Sequence, residues 1–145
     1  MEDISIIEIE NIEDYLKQIG EDNKRWLMPI YFNIPSIYIF AVIEKIIIGC
    51  VYFCQNELNS QQWYHSWLSV SEDYQRKGIA QKMIETGIEN LRKKGIKKLC
   101  CDIHTDNIAS INLHKKLLFQ INNDEKPPTN DWIVKEGHNI YEHIL

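Results

Sequence analysis

The chain is short of positive charge. It carries 16 Lys and Arg against 21 Asp and Glu, a formal net charge of −5, the opposite of the balance that marks a nucleic-acid binder. It also lacks an apolar run fit for a membrane. The longest, Ile37 to Cys54, is broken in its middle by Glu44-Lys45, a charged pair that a membrane helix would bury at great cost. The four cysteines, Cys50, Cys54, Cys100 and Cys101, form no CxxC and no His-spaced zinc pattern, so no metal site is expected. Met1 to Glu10 is short and acidic, unlike a secretion signal. The cysteines are therefore expected to be reduced core residues of a cytoplasmic protein. There is no internal repeat, no low-complexity stretch and no clear linker. Neither the GxxxxGK[ST] of a Walker loop nor a GxGxxG fingerprint occurs.

What is present suits one compact α/β domain over residues 1–145. Apolar residues make up 44% of the chain, enough for a core that needs no staple. The pattern predicts a strand over Ile4–Glu10, a short helix from an Asn11 cap to about Ile19, and a second over Asp22–Met28, ended by Pro29. Ile37–Ile43 and Ile46–Cys54 read as a β-hairpin turning at Glu44-Lys45. A polar loop is expected over Asn56–Gln62 and a strand over Trp63–Val70. Ala80, Met83, Ile84, Gly87, Ile88 and Leu91 then recur at helical spacing, with Lys93, Lys94 and Gly95 fitting the C-terminal end. Lys97–His104 is a strand in which Cys100 and Cys101 face opposite ways. Asn107–Leu118 is a helix capped by Asp106 or Asn107. Phe119–Asn122 and Asn139–Leu145 are two last strands, joined by a loop with Pro127-Pro128.

The chemistry is expected at Gln75-Arg76-Lys77-Gly78-Ile79-Ala80, between a strand and an amphipathic helix. A helix start leaves backbone N–H groups unpaired and carries partial positive charge. Gly78 lets an anion approach the backbone closely, and Arg76 and Lys77 add full charges. Together these suit a pyrophosphate, although a plain strand-to-helix turn has the same outline. Residues 72–98 hold eight Lys or Arg against four Asp or Glu, a local balance of +4 that leaves −9 for the remainder. One segment is built to meet an anion, and the rest could attract a cationic acceptor.

Gln75-x-x-Gly78-x-Ala80, preceded by Leu68 to Tyr74, resembles the Gln/Arg-x-x-Gly-x-Gly/Ala signature of the GNAT N-acetyltransferase superfamily. Asn107 to Phe119 resembles a second stretch of that family, Asn, then Ala, then Leu-Tyr-Glu-Lys-Leu-Gly-Phe. The likeness covers roughly residues 63 to 120. It implies a mixed, mostly antiparallel twisted sheet flanked by helices, with acetyl-CoA as donor and an amine as acceptor. By the same resemblance, the backbone of Leu68, Ser69 and Val70 would pair with the pantetheine arm of coenzyme A. N–H groups across Gln75, Arg76, Lys77, Gly78, Ile79 and Ala80 would hold the pyrophosphate. Asn107, and Ser110 beside it, would meet the cofactor arm near its reactive end.

The family's tyrosine, which often protonates the leaving thiolate, falls on His114, and Leu118 stands where glycine is common. His114 is either that acid, a satisfied polar residue of a helix, or irrelevant to a thiolate that leaves unaided. The resemblance puts the base, or its water, near Tyr64 or Ser66. Strict alternation sets Tyr64, Ser66, Leu68 and Val70 on one face, and a β-bulge would switch faces and bring in His65. Glu57 and Glu142 are further candidates. Tyr31, Phe32, Tyr38, Trp63 and Tyr64 could line an acceptor pocket or could simply be core. The expected activity is direct acetyl transfer to a primary amine, of a small molecule or a protein N-terminus. The alternative is a non-catalytic acyl-CoA sensor. A homodimer is suggested by the resemblance alone.

Overall fold

The computed structural model describes residues 3–10, 12, 14, 15, 26, 34–125, 127, 128 and 134–145. Seven strands form one sheet in the order β1-β2-β3-β4-β5-β7-β6. They are β1 Ser5–Ile9, β2 Ser36–Ile43, β3 Ile46–Asn56, β4 Asn59–Val70, β5 Lys98–His104, β6 Gln120–Ile121 and β7 His138–Ile144. Helices α1 Ile79–Lys93 and α2 Ile108–Lys116 accompany them, with a 3-10 turn at Glu72–Tyr74. The two expected short helices of the N-terminal third lie largely outside the described residues, although Ile12, Asp14 and Tyr15 are helical. Tyr31 and Phe32 lie outside them too.

Every neighbouring pair of strands is antiparallel except β4 and β5. The exception fits its connectivity, because parallel neighbours need a long crossover, here supplied by α1. The β2–β3 hairpin turns at Glu44 and Lys45, both at positive φ (46° and 70°), the backbone that a two-residue hairpin turn needs. The expected loop over Asn56–Gln62 shrinks to a tight turn, since β3 runs to Asn56 and β4 starts at Asn59. Hairpin pairing held this polar stretch in the ladder despite its composition.

The long apolar run has a plain cause: β2 and β3 are buried on both faces. On one face Ile37, Ile39, Val51 and Phe53 pack against Met83, Ile84, Ile88 and Leu91 of α1. On the other, Tyr38, Phe40, Cys50, Tyr52 and Tyr64 pack with Ile12 and Trp26. The contact of α1 with the sheet is close: a Cβ on Gly87 would sit 2.2 Å from Cζ of Phe53. All four cysteines are buried free thiols. Helix α1 ends at a Lys94 cap followed by Gly95 at φ +79°. None of the described helices is long and apolar enough to cross a membrane.

Candidate active site

Strand β4 carries a bulge. Tyr52 pairs with Ser66, but Cys50 pairs with Ser69, so a step of two residues on β3 faces a step of three on β4. Trp67 takes up the extra residue at φ +60°. This changes the face pattern that strict alternation gives. Trp63 packs on the α1 side, and after the bulge so do Leu68 and Val70, while Tyr64 stays on the opposite side. The bulge also bends β4 away from β5. Their pairing ends at Tyr64–Cys100, although the strands continue to Val70 and His104.

A cleft of about 1200 Å³ opens between the splayed strands. Ser66, Leu68, Ser69 and Val70 form its β4 wall, and Asn107, Ser110 and His114 line it from α2. Gln75 and Ala80 close its upper end. The Ser71 N–H donates to Ile48 O on the β3 side (2.7 Å). Alternation therefore turns the neighbouring Val70 N–H toward the gap. Gln75 Nε2 donates to Val70 O (2.9 Å) and ties the loop to the end of the strand.

Arg76, Lys77, Gly78 and Ile79 do not line the cleft itself. Gly78 is the N-cap of α1 at φ +78°, with no side-chain cap to occupy the first amides. A Cβ built there meets nothing within 4 Å, so the approach to those amides is open. Arg76 also has positive φ (63°), and Lys77 Nζ stands 5.5 Å from the Tyr74 ring centroid. The Ile79 side chain is core, which pins the first turn to the sheet. The residues present fit coenzyme A: an uncapped helix start flanked by two cations lies at one end of a cleft whose β4 wall is not paired with β5 beyond Tyr64.

On the α1 side of the gap, His65 of β4 meets His114 of α2. Their Nε2 atoms are 3.1 Å apart and the rings stack at 5.1 Å. Phe119 meets both rings edge-on, at 5.9 and 5.0 Å. His114 Nδ1 lies 2.7 Å from Ser110 O and 3.3 Å from Ser110 Oγ. A carbonyl oxygen only accepts, so Nδ1 carries the proton. The Nε2 lone pair of His114 then accepts from Nε2–H of His65, whose Nδ1 has no partner. Burial lowers the pKa of both rings, and the neighbouring His114 lowers that of His65 further. The neutral His114 thus has no N–H left for a leaving group.

His65, Cys101 and His114 also put three ligand atoms within 4.8 Å of one another, all buried. The shared proton occupies a lone pair that a metal would need, and burial pushes the Cys101 thiol up. The cluster therefore reads as a proton-sharing pair beside a core thiol.

On the other side of the gap a second chain of hydrogen bonds appears. Tyr64 Oη donates to Asp102 Oδ1 (2.6 Å), and His138 Nδ1 lies 2.7 Å from Asp102 Oδ2. Asp102 and His138 line the cleft, whereas Tyr64 supports it from behind. Burial, followed by the charge of Asp102, raises the pKa of Tyr64 and keeps it a phenol. Glu57 lies in the β3–β4 turn, and Glu142 is held by Lys98 (3.2 Å) and Asn122 (3.1 Å); neither lines the cleft. Sequence reasoning missed Asp102 and His138. The available signal was an acidic residue inside the apolar strand Lys97–His104; the register that sets His104 opposite His138 is visible only in the structure.

A model of the acetyltransferase (GNAT) family matches residues 6–119, from β1 through α2 and thus both walls of the cleft. The chain belongs to the acetyltransferase (GNAT) family. The ribosomal protein bS18-alanine N-acetyltransferase of Escherichia coli K12 is 35% identical over 52 residues, a match spanning 36% of this chain and only 35% of that protein. An acetyltransferase from Streptococcus agalactiae superposes with a TM-score of 0.71 at 16% identity, covering 98% of each chain. The Escherichia coli ribosomal-protein-S18-alanine N-acetyltransferase superposes with a TM-score of 0.68 at 15% identity, covering 97% of this chain and 93% of that one. At these identities the structural likeness shows a common fold. Within this GNAT chain His114 is buried and paired with His65.

Proposed function

We propose that residues 1–145 form one N-acetyltransferase domain, moving an acetyl group from acetyl-CoA to a primary amine by direct transfer. The observation that carries this reading is the gap left where β4 bulges at Trp67 and parts from β5. A stretch of β4 that β5 leaves, its Val70 O held by Gln75 and its Val70 N–H turned to the gap, leads there to an uncapped helix start. The free β4 edge, Leu68 to Val70, would add an extended pantetheine arm as a further strand. The first amides of α1, with Arg76 and Lys77, would hold the pyrophosphate. The Asn107 carbonyl oxygen is taken by Ser110 N–H (3.2 Å), which leaves its NH₂ group for the cofactor arm.

Acetyl-CoA supplies an activated acetyl thioester, and the chain supplies position. The Val70 N–H would stabilise the oxyanion that develops as the amine attacks. His114 would protonate the departing sulfur only as a charged ring. Burial opposes that charge, and a thiolate arriving beside the pair favours it.

The acceptor is an amine of a small molecule or a protein N-terminus. The partial match to an enzyme named for a ribosomal protein's alanine supports the second. The acidic excess outside the cofactor segment favours a cationic acceptor. A cytoplasmic setting agrees with the four free thiols, and a homodimer is a further expectation of the family likeness. The test is release of free thiol from acetyl-CoA across a panel of amines and peptides with free N-termini. Tight CoA binding without thiol release on any acceptor would replace this reading with an acyl-CoA sensor. Absence of CoA binding would end both.

A further inference from the structure

We propose that His138 is the general base of this site, that Asp102 is its positioning residue, and that Tyr64 fixes the direction in which Asp102 works. This rests on the acetyltransferase reading. The geometry is a three-member chain crossing the splayed sheet: Tyr64 Oη to Asp102 Oδ1 at 2.6 Å, and Asp102 Oδ2 to His138 Nδ1 at 2.7 Å. A carboxylate accepts from both sides, so Nδ1 of His138 carries the proton and Nε2 carries a lone pair. Among the described residues Nε2 takes no hydrogen bond, and the ring lines the cleft with 21% of its side chain exposed. That is the tautomer a base requires, held by the arrangement that orients catalytic histidines elsewhere.

The neighbours agree with the role. His104 of β5 stands edge-on to His138 at 5.2 Å, and its own Nδ1 accepts the Asp106 N–H (3.0 Å). Lys135, on the loop before β7, lines the same cleft. Asp102 is thus the single carboxylate in contact with the ring among the described residues. It holds the ring by its Nδ1 (2.7 Å), while His104, with Asp106 beside it (3.8 Å), and Lys135 complete the charged surroundings. The His65–His114 pair lies on the other side of the gap, so base and acid approach the reaction from opposite faces.

The step balances simply. An ammonium in the cleft gives one proton to His138 Nε2, and the freed lone pair forms the N–C bond. The C–S bond breaks with its electron pair on sulfur, and the second proton of the new ammonium nitrogen passes to that thiolate, which leaves a neutral amide and a free thiol. The imidazolium then returns its proton to solvent.

Tyr64 makes the proposal sharply testable. In Asp102→Asn a phenol that goes on donating, as it does to Asp102 Oδ1 in the parent, meets the amide oxygen and turns the NH₂ toward His138 Nδ1. The ring must then accept there and carry its proton on Nε2, so the base is disabled by a tautomer switch. Removing the phenol frees the amide to flip and restores the working tautomer. The predicted order is specific: Asp102→Asn alone is worse than Asp102→Asn with Tyr64→Phe.

Nitrogen-15 NMR of the ligand-free protein reads the tautomer directly. The expected result is Nδ1–H in the parent, Nε2–H in Asp102→Asn, and a return toward Nδ1–H in the double variant. Acetyl-CoA turnover is followed with hexapeptides bearing free N-terminal Ala or Ser, with spermidine, and with water alone. The pH profile is recorded and CoA affinity is measured by calorimetry in each variant. His138→Gln should lower kcat roughly a hundredfold or more and remove the acid limb of kcat/KM, with CoA affinity retained. An Nε2–H tautomer in the parent, or a His138→Gln variant with unchanged rate and acid limb, would overturn the base. A parent that binds no acetyl-CoA would instead overturn the acetyltransferase reading.

Discussion

Acidification should destabilise this protein chiefly through one buried pair of rings, with His143, which burial also lowers, adding to it. His65 and His114 are 3% and 1% exposed. Burial holds both imidazoles below their ordinary range, His65 the further of the two. In the unfolded chain each titrates near pH 6.5. Below that pH the unfolded state binds protons that the native state refuses, so stability is present at neutral pH and lost as pH falls. For one histidine held neutral in the native state, the change between about pH 7.5 and 5.5 is about 1.4 kcal/mol. His65 accounts for that much. His114 adds up to the same again, less what its hydrogen bond to Ser110 O restores. The loss is a serious fraction of the 5–15 kcal/mol typical of a domain. Urea unfolding at the two pH values measures it. His65→Leu fills the same site beside Phe53 and Phe119 and should take about 1.4 kcal/mol out of the pH dependence. A parent and a His65→Leu variant that lose equal stability on acidification would refute the idea that this ring is held neutral.

Three further outcomes are expected. Replacing Arg76 and Lys77 together with Ala should weaken CoA binding about tenfold at low salt and flatten its salt dependence; equal affinity by calorimetry at low and high salt would remove them from phosphate binding. His114→Phe should lower kcat about tenfold or more near pH 6, and less near pH 9, where a charged ring is scarcer; an unchanged kcat at the lower pH would discharge it as the acid. Gly87→Ala should cost about 1–3 kcal/mol, because its Cβ falls 2.2 Å from the Phe53 ring; thermal unfolding with no drop in Tm would show that the ring can move aside.

The sequence by itself determined the parts whose signals are local. Hydrophobic period separates α1 from the strands, Gly95 marks its end, and Glu44-Lys45 marks the hairpin turn. The two motifs around Gly78 and Asn107 marked the caps at which α1 and α2 start, because a helix cap is written in consecutive residues. Only the tertiary structure decided what crosses the sheet. The bulge at Trp67 follows from a register mismatch between β3 and β4, and register is a property of two strands. That single extra residue brought Leu68 and Val70 to the face that His65 already shares with Trp63, and β4 parts from β5 beyond Tyr64. Tyr64, Asp102 and His138 belong to three different strands, and the hydrogen bonds that make them one device exist only where pairing brings those strands side by side. A chain written in one dimension carries backbone chemistry well and side-chain partnership poorly, because partnership depends on distances that only folding sets.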